Sequence, residues 1–200
     1  MYAKKNGFKL ILHTDEKGAK LLDHCPYDKI VADLKPEDFP LSGILYAAPK
    51  LKTLEKYPLG TIHIDGDVFL KRPSLANELE FSTHDAVVQS IERPPLYGWG
   101  WAESASALKN CTYPEWVPRE CKAMFNNGIL GFNNQELKDE YLKTYWNMYE
   151  QFKTKGIHFG IPDIIIEQQF LLELCKTKGY DVKCLIDGDH PSESANKIGY

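Results

Sequence analysis

Apolar positions along the chain fall into short runs, and the runs alternate between strand-like and helix-like spacing. Tyr2-Ala3-Lys4-Lys5-Asn6-Gly7 reads as the last turn of a helix with its glycine stop, and Phe8 to His13 as a strand. Thr14-Asp15 stands where it would cap a helix from Glu16 to Asp23, and Tyr27 to Val31 reads as a short strand. Residues 33–42 form a proline-marked loop, after which Ile44 to Lys56 reads as a helix despite Pro49.

The second half repeats the alternation. Thr61, Ile62 and Ile64 give a β-branched strand, and Ala86 to Ser90 gives another. Phe125-Asn126-Asn127-Gly128-Ile129-Leu130-Gly131-Phe132 reads as an Asn-Asn-Gly turn feeding a short buried strand. Leu137 to Phe152 has Leu142, Tyr145 and Tyr149 at helical spacing, Pro162 to Lys178 reads as a helix stopped by Gly179, and Tyr180 to Ile186 as a final strand. Alternating strands and helices predict an α/β fold with a mostly parallel, Rossmann-like sheet flanked by helices. There is no internal repeat, low-complexity tract or linker, so residues 1–200 read as one domain.

Composition narrows the function classes. With 24 Lys and Arg against 28 Asp and Glu, the formal charge of −4 leaves no basic excess for a nucleic-acid backbone. No run approaches the length of a membrane span, and Met1 to Lys9 lacks the apolar stretch of a signal peptide. The chain therefore reads as cytoplasmic, with peripheral attachment to a membrane left open. Five cysteines, without a short Cys-x-x-Cys pair, suit reduced thiols better than a disulfide framework or a zinc site. Oligomeric state has no signal.

The candidate chemistry centres on Ile64-Asp65-Gly66-Asp67-Val68. Two carboxylates at the end of an apolar strand repel each other and lose hydration, so they are expected to share a cation or to hold a proton. Hard divalent ions such as Mn2+ or Mg2+ take oxygen ligands of this kind and leave places for phosphate and water. His63 is expected to point away from the pair, with Ile62 and Ile64 inward. His13, His84 and His158 are scattered singly and read as structural.

Glu167 lies in an apolar stretch, with Ile164, Phe170 and Leu171 at helical spacing, so its carboxyl needs a partner or a proton. A salt bridge to a core-edge lysine is the bland account and a functional acid or base the sharper one. Gln168 shares the argument, as an amide able to bond ligand hydroxyls. Asn126 and Asn127, beside Gly128, fit either a turn or hydroxyl recognition. The Pro-, Gly- and aromatic-rich stretch from Arg93 to Trp101 includes Trp99, whose ring would stack on a sugar or pack on the body. Asp187-Gly188-Asp189 repeats the acidic spacing near the C-terminus and reads as a decoy.

In their order, the Asp65-Gly66-Asp67 block, the Asn126-Asn127-Gly128 block and Ile166-Glu167-Gln168-Gln169 resemble glycosyltransferases of the GT-A fold, most of all the bacterial capsular-polysaccharide type. The resemblance implies a nucleotide-diphospho-sugar transferase architecture. It also implies that Asp65 and Asp67 form an Asp-x-Asp metal site for Mn2+ or Mg2+, with Asp65 reaching the ribose or the metal. Lys50, with Thr14 and Asp15 after the first strand, would lie by the donor nucleotide. Asn126, Asn127, Gly128 and Trp99 would meet the sugar or acceptor, and Glu167 with Gln168 the reacting carbon. The partners so implied are a UDP- or GDP-linked sugar and a glycan acceptor. Against such enzymes the chain reads as shortened at both ends.

Two rivals share the residues. A haloacid-dehalogenase-type phosphatase would use Asp65 as nucleophile and Asp67 as acid, but places its motif on the first strand and gives Asn127 and Glu167 no part. A non-catalytic nucleotide-sugar-binding module would keep the pocket without turnover.

Overall fold

The computed structural model describes residues 2–5, 7–70, 82–93, 104–118, 121–157, 162–186 and 198–199. Trp99 and the rest of its aromatic stretch from Pro94 on, His158, and the Asp187-Gly188-Asp189 pair lie outside the described residues.

The chain opens with α1 (Tyr2–Lys5) and then β1 (Ile11–Thr14), α2 (Glu16–Leu21) and β2 (Lys29–Ala32). β1 and β2 pair in parallel, as a strand, helix, strand unit should. Asp15 caps α2, its Oδ1 accepting from the Gly18 amide at 2.6 Å. A Cβ at position 18 would stand 2.1 Å from Thr14 Oγ1, so the Thr14-Asp15 corner closes only around glycine.

α3 (Ala48–Lys56) starts four residues later than the sequence suggests. Pro49 explains the delay: it falls in the first turn, where a missing N–H is harmless, and the chain before it makes separate turns such as Leu45 N–H to Leu41 O at 2.7 Å.

Four strands make the central sheet, in the order β3 (Ile62–Ile64), β6 (Met124–Phe132), β5 (Ala86–Glu92), β7 (Val182–Ile186). β6 runs antiparallel to both neighbours, and only β5 and β7 are parallel. β4 (Phe69–Leu70) and β8 (Ile198–Gly199) form a small antiparallel pair. The fold is thus mixed α/β, and its central sheet is mixed rather than mostly parallel. The expectation came from the alternation of strands and helices, but alternation does not encode strand direction, and β6 enters between β3 and β5 running against both.

The Asn-Asn-Gly turn is also corrected. Asn126, Asn127 and Gly128 sit inside β6, at an irregularity where Val88 pairs with Leu130 but Ser90 pairs with Asn126. The unmatched residues locally break the ladder and re-aim side chains, as bulges do.

Alternation along the strands sorts the core into two faces. Ala86, Val88, Leu130 and Phe132 join the large core under the helices, while Val87 and Ile129 pack with Leu185 and Ile186 on the other face. α4 (Gln135–Lys155) buries Leu137, Tyr141, Leu142, Tyr145, Met148, Tyr149 and Phe152, a helical stripe that includes the three predicted positions. Instead of one uniform helix after Pro162, the chain makes a π-helical turn (Ile164–Gln169) and then α5 (Phe170–Lys178), ended by Gly179 in the left-handed conformation. No helix among the described residues is long and apolar enough to cross a membrane.

Candidate functional site

β3 delivers Asp65 to the site. Its amide donates to Gly128 O at 2.8 Å, and the Val68 amide closes the turn on Asp65 O at 3.1 Å. The two carboxylates differ in setting, for Asp65 is half-buried and Asp67 is exposed in the turn. Side chains alternate along a strand, so residues 63 and 65 share a face. His63 Nε2 accordingly lies 2.7 Å from Asp65 Oδ1, which overturns the expectation that this histidine points away.

Lys50, in the first turn of α3, reaches into the middle of the molecule. Its Nζ donates to Asn127 O at 2.9 Å, approaches Asp65 Oδ1 at 3.3 Å, and pairs with Glu167 Oε1 at 3.2 Å. Glu167 is 1% exposed, so the helix carrying it has found the core-edge lysine that its apolar setting demanded. The π turn is tied down by the same neighbours. Glu167 O accepts from Asn127 Nδ2 at 3.0 Å and from Tyr141 Oη at 2.9 Å.

The electrostatics follow from burial and from the Lys50 ammonium set among several acids. Burial works against the Lys50 charge, but the carboxylates of Glu167 and Asp65 more than offset it and hold the ammonium above its usual pKa. Burial likewise pushes the Asp65 carboxyl up, while the His63 hydrogen bond and the Lys50 charge bring it below the usual carboxylate value.

A third acid was not anticipated. Asp163, fully buried one turn before Glu167, accepts from the Ala47 amide at 2.5 Å and from Tyr145 Oη at 2.9 Å. Burial above all, and the Glu167 charge, push its pKa up to about 7 against those two hydrogen bonds. The available signal was an aspartate four residues ahead of Glu167 at the head of the same apolar run.

The remaining candidates separate by geometry. Asn127 is buried inside the cluster, and among the described residues its Oδ1 has no hydrogen-bond donor; nor have Glu167 Oε1, whose contact with Lys50 is an ion pair without hydrogen-bond alignment, and Gln168 Oε1. These acceptor oxygens suit a ligand rich in O–H or N–H groups. Asn126 is spent locally, accepting from the Gly128 amide at 2.9 Å and donating to Glu92 Oε1 at 2.7 Å. Gly128 has no room for a side chain, since a Cβ would come within 2.5 Å of Gln89 Oε1 and 3.2 Å of Val68 Cγ2. Asp15 is engaged at the α2 corner, and Thr14 O accepts from the Leu34 amide at 3.1 Å.

No group of three or more His, Cys, Asp or Glu side chains among the described residues is placed to hold a metal on its own. Asp65 and Asp67 fit a hard cation only if most of its oxygens come from a diphosphate and water, which is the usual habit of Mg2+ and its like. A cavity of about 370 Å³ opens elsewhere, between the 33–40 loop, α3 and α4, beside Trp146 and Tyr149; no residue of the Lys50 cluster lines it.

A profile described as a family of unknown function, DUF6734, matches residues 2–199. No curated protein matches the chain, and neither does any solved structure.

Proposed function

The chain belongs to this family of unknown function, and from its site we propose that it is a metal-dependent glycosyltransferase of GT-A-like architecture, moving a sugar from a UDP- or GDP-linked donor to a glycan acceptor. The observation that carries the reading is the meeting of Asp65, Asn127 and Glu167, from three distant blocks of sequence, on the single ammonium of Lys50.

Each group has a task that its surroundings suit. Lys50, held charged by two carboxylates, attracts donor phosphate. The unsatisfied oxygens of Asn127 and Gln168 accept from sugar hydroxyls, and donor groups of the ligand would compensate their burial. Glu167 orients the sugar or takes the proton of an acceptor hydroxyl, for which Lys50 must shift its contact from Glu167 towards the phosphate. A divalent cation bound at Asp65 and Asp67, Mn2+ or Mg2+, supplies neutralisation of the charge that grows on the leaving diphosphate.

A second reading, a nucleotide-sugar-binding module without turnover, is favoured by the Lys50–Glu167 pair itself, since an engaged carboxylate is a poor base. The test is thermal unfolding with UDP or GDP, with and without Mn2+. A melting temperature that rises with nucleotide only when metal is present supports the transferase, because a ligand bound to the folded state alone stabilises it. No rise with either nucleotide removes both readings. Binding of a UDP- or GDP-sugar with no sugar release or transfer leaves the module.

A further inference from the structure

We propose that Asp163 is the residue that positions Lys50, by fastening the start of α3 to the turn that carries Glu167. The inference rests on Lys50 being the centre of the site proposed above, but it concerns the protein without any ligand.

Lys50 owes its place to where α3 begins. The backbone amide just ahead of that helix, on Ala47, is captured by Asp163 Oδ2 rather than by a residue nearby in sequence. The other carboxyl oxygen takes the Tyr145 hydroxyl of α4. One buried side chain therefore joins three elements: the α3 start, α4, and the segment that runs on through Glu167. Asp163 itself is held in helical backbone, and the amides of Ile165 and Ile166 both bond Pro162 O just before it, so it has little freedom to follow a drifting partner. Lys50 lies three residues beyond Ala47. If the Ala47 amide loses its acceptor, the first turn of α3 loosens and the ammonium leaves Asn127 O and Glu167 Oε1.

Among the described residues the hydrogen bonds of the Asp163 carboxyl go to the scaffold, to Ala47 and Tyr145, so it is a positioning residue and not a catalytic one. Tyr145 and Ala47 face it from α4 and from the α3 start, and the charges of Glu167 and Lys50 bear on it from its own segment and from α3.

Acylation of lysines by dilute acetic anhydride, read peptide by peptide by mass spectrometry, tests this directly. Lys50 has 11% of its side chain exposed, against 45% for Lys52 and 40% for Lys56 on the same helix, so the two neighbours are internal controls. In Asp163→Ala, the Lys50 rate relative to Lys52 and Lys56 should rise about tenfold, the upper end of the scale for losing one buried hydrogen bond. Asp163→Asn keeps an acceptor for the Ala47 amide and should restore the wild-type ratio. If Asp163→Ala does not fold, Tyr145→Phe removes one of the two anchors and should raise the ratio about threefold by the same conversion. An unchanged Lys50 ratio in the folded variant overturns the proposal. So does a parallel rise at all three lysines, which would mean general loosening of α3. Because no nucleotide or metal is used, failure here leaves the transferase reading standing, and the reverse holds too.

Discussion

The imidazole of His63 and the carboxylate of Asp65 form a pair, Nε2 to Oδ1 at 2.7 Å, on the face of β3 that looks toward Lys50. The pair holds Asp65 ready as an anion despite its partial burial, since the His63 hydrogen bond and the Lys50 charge together outweigh desolvation. In His63→Ala the Asp65 carboxyl should titrate at a higher pH than in the wild type, measured by carbon NMR of the carboxyl group. An unmoved titration would assign the whole effect to Lys50. Because 37% of the Asp65 side chain is exposed, the stability cost should stay below about 1 kcal/mol.

Lys50 is a different case, being buried against a buried acid. Lys50→Met should leave Glu167 without its counter-ion and cost about 3 to 5 kcal/mol in urea unfolding. Adding Glu167→Gln should recover much of that loss, since the stranded charge goes. A double variant as unstable as the sum of the two single changes would show that the ion pair is not the reason.

Asp163 makes stability depend on pH in the opposite sense to most carboxylates. Its pKa rises from 3.8 to about 7 on folding, so between those values the native state holds a proton that the unfolded state has lost. Its contribution is present in full below the unfolded value and is lost as pH rises toward 7. Asp163→Asn cannot titrate. The melting temperature of that variant, minus that of the wild type, should therefore become more positive from pH 4.5 to pH 7.5. A difference that stays flat would mean that Asp163 titrates normally.

Gly128 tests the crowding around the bulge. Gly128→Ala should cost about 1 to 3 kcal/mol, the range for an extra methyl in a packed site. Gln89 can swing its amide aside, but Val68 and Asn126 also press on the new Cβ, at 3.2 Å each. Nucleotide-dependent stabilisation should fall in the same variant, measured in the thermal assay. A variant as stable and as responsive as the wild type would show that the neighbours yield freely.

Much of this was legible in the residue pattern. Asp15 and Gly179 start and stop their helices as capping chemistry requires, and Leu142, Tyr145 and Tyr149 at helical spacing announce the buried face of α4. Glu167 was marked by its apolar neighbours, and the partner its setting demanded is Lys50. What escaped depends on distance in the chain. The direction of β6 is set by its partners in the sheet, 30 or more residues away at both β5 and β3, and no local spacing reports it. Asp163 drew no notice, because its value comes from Ala47 and Tyr145, one of them 116 positions distant. The expectation for His63 set the acidic pair on the face of Ile62 and Ile64, whereas Asp65 follows the alternation of the strand and shares the face of His63.

The helical segment through Glu167 is wound wider than its continuation, carrying a surplus residue between Ile164 and Gln169. Each residue of an ordinary helix turns the face by about 100 degrees. Excising a single isoleucine there would thus swing the glutamate off the lysine while α5 kept its own packing, so one codon decides whether this helix faces the cluster with an acid or with a hydrocarbon.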